Sequence, residues 1–254
     1  MWRLYDALIE GIDDTRRVDY ACCGAWRAWV ESEGRAGMAS LLAPGMVVSA
    51  PTGELAQYRG KKLRDMAALA KSWDPREASL GVAAINAYYN DVRTLEFSKA
   101  QLFSIGGENG DVFAQMLPYA KDKKVATIGH FNGIDQLYGP VCEFTVFERE
   151  PRPGDLPDTA EEYLLPRMDL VFITGMALTN KTLPRLLQLT SGCRVVMTGP
   201  STPLTGILFD FGVDVVSGLA VADIKAGLAA VQSDHWHDIY EAARRVVWYK
   251  QPQE

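Results

Sequence analysis

The sequence predicts an α/β protein in which a small α+β unit precedes a Rossmann-like domain with a parallel sheet. From Lys124 onward, apolar segments such as "KVATIG", "DLVFIT" and "RVVMTG" alternate with helical segments such as "TLPRLLQLT", "PLTGILFDFG" and "ADIKAGLAAVQ". Uniformly apolar strands separated by amphipathic helices are typical of a parallel sheet covered on both faces. The earlier segment "AWRAWVES" instead alternates apolar and polar residues, which favours antiparallel hairpins.

These differences in the pattern of apolar and polar residues divide the chain into three parts. We predict an α+β domain over residues 1–95, an irregular connector over 96–123 and a Rossmann-like α/β domain over 124–254. Within the first part, Asp74–Pro75 is a typical helix start and begins the second helix of a helical pair. The glycine-rich stretch 104–113 has the composition of a loop, and its sequence indicates no function.

Composition argues against several partner classes. The chain has 254 residues and a net charge of −6, so it lacks the diffuse basic surface that binds nucleic-acid phosphates. The N-terminal segment has no signal-peptide pattern, and no apolar run reaches about 18 residues. We therefore expect a cytoplasmic protein without nucleic-acid or membrane partners. The four cysteines form no CxxC pair, and three of them lie in strand-like apolar runs, so we interpret these three as reduced, buried residues.

Open parallel sheets bind ligands outside the carboxyl ends of their strands, so the strand exits are candidate sites. The first exit contains Gly129, His130 and Phe131. It does not match GxGxxG, because His130 and Phe131 replace the small residues that let a pyrophosphate approach the backbone, and a conventional NAD site is not expected. His130 is a candidate ligand contact, metal ligand or proton-transfer group, the alternative being a structural histidine.

The second exit ends at Glu148 in "EFTVFE". This position follows Gly129 by about 20 residues, the spacing at which Rossmann proteins place an acid for a ribose diol. Glu148 is therefore a candidate contact for a hydroxyl-bearing or cationic ligand, and with His130 a candidate for acid–base work. The alternative is a solvated acid at a loop edge.

The third exit carries Thr174 and Gly175, and Asn180 and Thr182 follow it before a helix. Free backbone N–H groups at a helix start attract anions, and these side chains would add donors. Helix capping is the alternative interpretation, and the two are compatible.

The fourth exit contains Gly199, Pro200, Ser201 and Thr202. Pro203 suits the first turn of a helix, with Ser201 or Thr202 as its N-cap. This arrangement predicts that hydroxyl and backbone N–H groups point into the crevice, where they would bind a neutral or anionic part of a ligand.

Five stretches together carry a family resemblance: "SLGVAAINAYYN", "IGHF", "PRPGDLPDTA", "ITGMALTNKTLP" and "GPSTPLTGILFDFGVDVVSG". In this order they resemble a bacterial and archaeal family described as "putative heavy-metal chelation". The resemblance implies an enolase N-terminal-like domain before the Rossmann-like domain, with a candidate active site in the cleft between them. It also implies a contribution from the first domain, for which Asn86 is the candidate; the alternative is a buried hydrogen-bonding group.

Two functional hypotheses follow. In the first, the chain binds a small organic molecule or metal chelate in the interdomain cleft, and whether it converts this ligand is left open. In the second, it is a non-catalytic protein that binds or delivers a metal ion directly, and the same polar residues hold the ligand. His235 and His237 are also candidate ligands of a transition metal, the alternative being solvated side chains on an exposed terminal segment. Aromatic residues of the first domain also suggest a homodimer: Trp26, Trp29 and Tyr58.

Overall fold

The computed structural model describes residues 2–42, 53–95, 100–103, 111–233, 235 and 237–251. The described residues of the first part of the chain form a small antiparallel sheet with strand order β1–β2–β3, together with four α-helices. Its elements are α1 (Arg3–Glu10), β1 (Tyr20–Cys23), β2 (Arg27–Ser32), β3 (Arg35–Ser40), α2 (Leu63–Ala67), α3 (Pro75–Tyr89) and α4 (Val92–Leu95). The predicted hairpins and helical pair are confirmed.

Helix α3 begins where the sequence predicts. The Asp74 carboxylate accepts hydrogen bonds from the backbone N–H groups of Arg76 and Glu77, each at 2.9 Å, and Pro75 occupies the first turn. This cap satisfies two of the N–H groups that have no partner within the helix.

Small residues let α3 pack directly on neighbouring backbone. A Cβ added to Gly37 of β3 would lie 2.0 Å from the Ala87 nitrogen, and one added to Gly81 would lie 2.0 Å from the Ala70 nitrogen. The helix is therefore buried on most of its circumference, from Ala78 to Ala87.

The remaining elements build one large sheet and its covering helices. They are β4 (Gln101–Phe103), α5 (Val112–Ala120), β5 (Lys124–Ile128), α6 (Ile134–Tyr138), β6 (Glu143–Glu148), β7 (Leu156–Pro157), α7 (Glu161–Leu164), β8 (Leu170–Thr174), α8 (Met176–Thr179), α9 (Leu183–Leu189), β9 (Arg194–Thr198), β10 (Val215–Val221), α10 (Ile224–Gln232), α11 (Ile239–Ala242) and β11 (Ala243–Tyr249). The strand order is β4–β11–β10–β9–β8–β5–β6–β7, and the run from β10 to β7 is parallel.

The fold class is thus the predicted α/β one, with three corrections. Strand β11 is antiparallel to both β10 and β4, so the sheet is mixed at one side. The segment 96–123, predicted to be irregular, contributes β4 and helix α5, because Asp111 caps that helix and its apolar face covers the sheet. Residues 104–110 of the predicted loop lie outside the described residues.

The third correction concerns "PLTGILFDFG". Its regular part is a 3-10 helix over Gly206–Phe211, and the cap is the Thr205 hydroxyl, which accepts from the Ile207 N–H at 3.3 Å. Pro203 therefore precedes the helix, and Ser201 and Thr202 do not cap it.

The α+β part and the large sheet share one hydrophobic core. A single cluster contains Leu8 and Ala83 from the first part and Val171, Met197 and Val216 from the large sheet. A second cluster covers the other face of the sheet beneath α5 and α6. The two parts are therefore joined by apolar packing as well as by the chain.

The aromatic residues of the dimer hypothesis differ in exposure. Trp29 is fully buried against α10, so it belongs to the core and offers no surface to a partner, whereas Trp26 is 45% exposed. Across the described residues, no helix combines the length and apolar character needed to cross a membrane.

Candidate functional site

A cavity of about 670 Å³ lies outside the carboxyl ends of β5, β6 and β8. Leu42 and Pro75 from the first part of the chain complete one side of it. The chain leaves β5 through α6 toward β6, whereas β8 lies on the other side of β5. Helices α6 and α9 accordingly cover opposite faces of the sheet. The connection after β5 and the connection after β8 therefore run to opposite faces of the sheet. Such a switch point leaves a crevice between the two loops that follow these strands.

His130 follows β5 and is held by two acids. Its backbone N–H donates to Glu148 Oε2 at 3.0 Å, and its Nδ1 lies 3.2 Å from Asp155 Oδ2. Asp155 is itself fixed, because it accepts the Arg152 backbone N–H at 3.0 Å and its side chain is only 6% exposed. A carboxylate on one imidazole nitrogen orients the ring. Asp155 therefore fixes the His130 ring at the cavity wall.

Glu148 lies at the end of β6 and supports two loops. One carboxylate oxygen accepts the His130 N–H, and the other accepts the Arg149 N–H at 2.8 Å. Both oxygens thus bind backbone, which makes Glu148 a positioning residue for the strand exits as well as part of the cavity wall.

Replacing Glu148 with alanine is expected to lower the free energy of unfolding by about 1–3 kcal/mol, because two backbone donors lose a charged acceptor. Chemical denaturation measures the change. Glu150→Ala is the matched control, since Glu150 is an exposed acid in the same loop, and we expect less than about 0.5 kcal/mol there. Equal effects of the two substitutions would contradict the positioning role.

The cavity brings together seven of the predicted residues: Gly129, His130, Phe131, Glu148, Thr174, Asn180 and Thr182. Asn180 also forms a local turn before helix α9, because its Oδ1 accepts from the backbone N–H and the hydroxyl of Thr182, at 3.0 and 2.7 Å. The N-cap residue of α9 is Thr182, and no side chain caps the helix, so the capping interpretation of these residues is wrong, whereas Asn180 does line the cavity.

The predicted contacts from Asn86, Ser201 and Thr202 need correction. All three are buried, at 0%, 1% and 0% exposure. Asn86 Nδ2 donates to the Met38 carbonyl at 2.8 Å, and Ser201 Oγ accepts the Ser40 N–H at 2.8 Å. The loop after β9 turns toward β3 and α3, so the Ser201 hydroxyl joins the two parts of the protein, whereas the Thr202 hydroxyl is buried without a hydrogen-bond partner among the described residues. None of the three side chains lines the cavity.

Gly175, Gly199 and Pro200 also lie outside the cavity lining. Gly175 permits the close packing of two strand exits, because a Cβ there would lie 2.6 Å from the Thr202 nitrogen. Gly175 thus allows the backbone after β8 to lie close to the backbone after β9.

Two family models cover most of the chain. Residues 111–247 match the DUF364 model and residues 5–89 match the DUF4213 model, both described as "Putative heavy-metal chelation". The chain belongs to the DUF364 family. An uncharacterised protein of Methanocaldococcus jannaschii is 31% identical over 192 residues, which cover 68% of this chain and 70% of that protein.

Solved structures of the DUF364 family share the fold. A crystal structure of a DUF364 protein of unknown function from Desulfitobacterium hafniense has a TM-score of 0.88 and 34% identity, covering 98% of this chain and 99% of that one. Another, from Pyrococcus horikoshii, has a TM-score of 0.79 at 23% identity and covers 98% of both chains.

The DUF364 description raises the question of whether the residues fit a heavy metal. Among the described residues, no group of three or more His, Cys, Asp or Glu side chains could hold an ion. Burial raises the pKa of Cys22 to about 12 and raises that of Cys23, which disfavours the thiolate form that binds soft metals. None of the four cysteines lines the cavity, and His235 and His237 are exposed near the C-terminus. The described residues therefore do not fit a directly bound heavy metal.

Several groups at this site were not predicted from the sequence, among them Asp155, Glu161, Leu42 and Pro75. Asp155 lies in the "PRPGDLP" stretch, which predicted only a rigid loop, and its contact with His130 depends on how that loop folds back beside β5. Glu161 belongs to an acidic helix start, where acids are common for reasons of the helix dipole alone. Neither position carried a signal that distinguishes it from neighbouring acids.

Proposed function

We propose that this chain binds a small organic molecule, a metal chelator or its metal chelate, in the cavity above β5, β6 and β8. The observation that carries the proposal is His130 held by Asp155 in the wall of a cavity of about 670 Å³. This volume falls within the range of about 300–1,000 Å³ that is common for small-molecule sites. An organic chelator would also reconcile the family description with the lack of a metal-ligand cluster among the described residues.

The wall offers both apolar and polar contacts. Phe131 and Met176 provide apolar surface, and Thr174 and Asn180 provide hydrogen-bonding groups from neighbouring strand exits. Because His130 can exchange a proton and is oriented by a buried acid, the chemistry that this wall supports is proton transfer to or from the ligand. The proposed ligand therefore carries a titratable or hydrogen-bonding group beside the imidazole.

Native mass spectrometry with elemental analysis tests this proposal on protein purified without chelators or a histidine tag. We expect a co-purifying organic mass in the wild type and at least about a tenfold loss of occupancy in His130→Ala, the equivalent of 1.4 kcal/mol. His235→Ala is the matched control, since His235 is an exposed histidine away from the cavity lining, and it should keep the mass.

Two results would contradict the proposal. Stoichiometric metal without an organic mass, lost in His130→Ala, would show that an ion binds directly. An organic mass retained equally by His130→Ala and His235→Ala would place the ligand elsewhere on the protein.

A further inference from the structure

Glu161 stands apart among the acids of the cavity. It begins helix α7 and lines the cavity together with Asp158, Glu148 and Arg149. Within the described part of the chain, no hydrogen bond holds its carboxylate, and the forces acting on it are burial and the charges of neighbouring residues. Its carboxylate is therefore free to interact with a ligand.

Three neighbouring acids are engaged, and Glu150, which lines the cavity without a hydrogen bond among the described residues, is exposed to solvent whereas Glu161 is partly buried. Both Glu148 oxygens accept backbone N–H groups. Asp158 accepts Arg149 Nε at 3.2 Å, and exposed Glu162 accepts Arg185 Nε at 2.8 Å. Loss of charge on any of these would cost an existing contact, whereas Glu161 can change its protonation state without breaking one.

We infer that Glu161, rather than Glu148, is the carboxyl group that exchanges a proton with a ligand in the cavity, an inference that rests on the proposed function. In the donating direction its O–H bond breaks, the electron pair stays on the carboxylate and the proton passes to a heteroatom of the ligand. Glu161 is only partly buried, so water can return the proton afterwards. His130, across the same cavity, supplies the complementary base.

The surroundings of Glu161 support this role. Burial, followed by repulsion from Asp158, Glu162 and Glu148, raises its pKa to about 7, although Arg149 opposes the shift. Both protonation states are therefore populated at neutral pH, which suits a group that gives and takes protons. Among the described residues, the further charged or titratable groups at this wall, or paired with its side chains, are His130, Glu150, Arg152, Arg185 and the two acids beside the His130 ring, Asp155 and Asp135.

Labelling with a diazoacetamide tests the inference directly. This reagent takes the proton of a carboxylic acid onto its carbon, forms an ester bond to the carboxylate oxygen and releases N₂, so it reports protonated carboxyl groups. We expect peptide mass spectrometry at pH 7 to show esterification of Glu161 at least about tenfold faster than that of Glu162, an acid with an ordinary or lowered pKa. The Glu161 rate should fall as the pH rises from 6 to 8.

Equal labelling of Glu161 and Glu162 at pH 7 would overturn the inference. A second measurement uses the melting temperatures of Glu161→Gln and wild type across pH. A carboxyl group with a raised folded-state pKa stabilises the fold below its unfolded pKa, and this contribution is lost as the pH rises through about 7. The variant should therefore gain stability relative to wild type between about pH 4.5 and 7, with Glu162→Gln showing no such gain. A difference in melting temperature between Glu161→Gln and the wild type that does not change with pH would also overturn the inference.

These measurements need no ligand, so they separate this inference from the proposed function. If no organic mass co-purifies but Glu161 is labelled at neutral pH, the ligand proposal fails and the protonation of Glu161 stands. If a mass is found, its release between pH 6 and 8 should depend more weakly on pH in Glu161→Gln than in the wild type, because His130 is left as the proton-exchanging group. Unchanged pH dependence in that variant would overturn the role of Glu161 alone.

Discussion

Replacing Asn90 with alanine is expected to lower the free energy of unfolding by about 3–5 kcal/mol, the cost of three buried backbone groups that lose their partner. Asn90 follows helix α3 and is 2% exposed. Its Nδ2 donates to the carbonyls of Thr202 and Leu219, at 3.0 and 3.1 Å, and its Oδ1 accepts the Leu204 N–H at 2.8 Å. One side chain thus joins the α+β part to the loop after β9 and to β10.

Chemical denaturation of the two proteins measures this difference. Asn132→Ala is the matched control, because Asn132 is exposed, and we expect a change within about 0.5 kcal/mol. If Asn90→Ala stays within about 1 kcal/mol of the wild type, the three hydrogen bonds do not hold the parts together as we argue. Asn90→Asp should also be destabilising, because a carboxylate cannot donate to the two carbonyl groups.

The substitution Gly37→Ala is expected to cost about 3 kcal/mol or more in the free energy of unfolding. Gly37 lies in β3 under helix α3, where an added Cβ would lie 2.0 Å from the Ala87 nitrogen and 2.3 Å from the Ala83 oxygen. Both atoms belong to the helix backbone, which cannot rotate aside, so the helix must move away from the sheet. Its core contacts would then be lost together.

Thermal or chemical denaturation tests this cost against Gly192→Ala. No atom lies within 4 Å of a Cβ added to Gly192, so that substitution should change the free energy of unfolding by less than about 0.5 kcal/mol. Similar stabilities of the two variants would show that α3 has more room above β3 than the structure gives it.

The cavity illustrates how far a sequence can predict a site. The rule for strand exits indicated His130, Glu148, Thr174 and Asn180, and the structure gathers these residues around one cavity. Their functional roles stay predictions. The same rule also indicated Ser201 and Thr202, which are buried because the loop after β9 packs on β3. The rule locates the edge of the sheet at which loops emerge, but it does not say which way each loop turns.

Local features of this protein follow from the sequence by itself. Apolar runs predict strands β5, β8 and β9, and Asp74–Pro75 predicts the start of α3, because the interactions that decide them involve residues a few positions apart. Only the tertiary structure decides that β11 pairs antiparallel with β10, that Asp155 lies beside His130 and that the Glu161 carboxylate has no hydrogen bond within the part of the chain that the structure describes. These outcomes depend on contacts between segments that are distant in the chain. The local sequence pattern of a segment does not determine which distant segment it will contact.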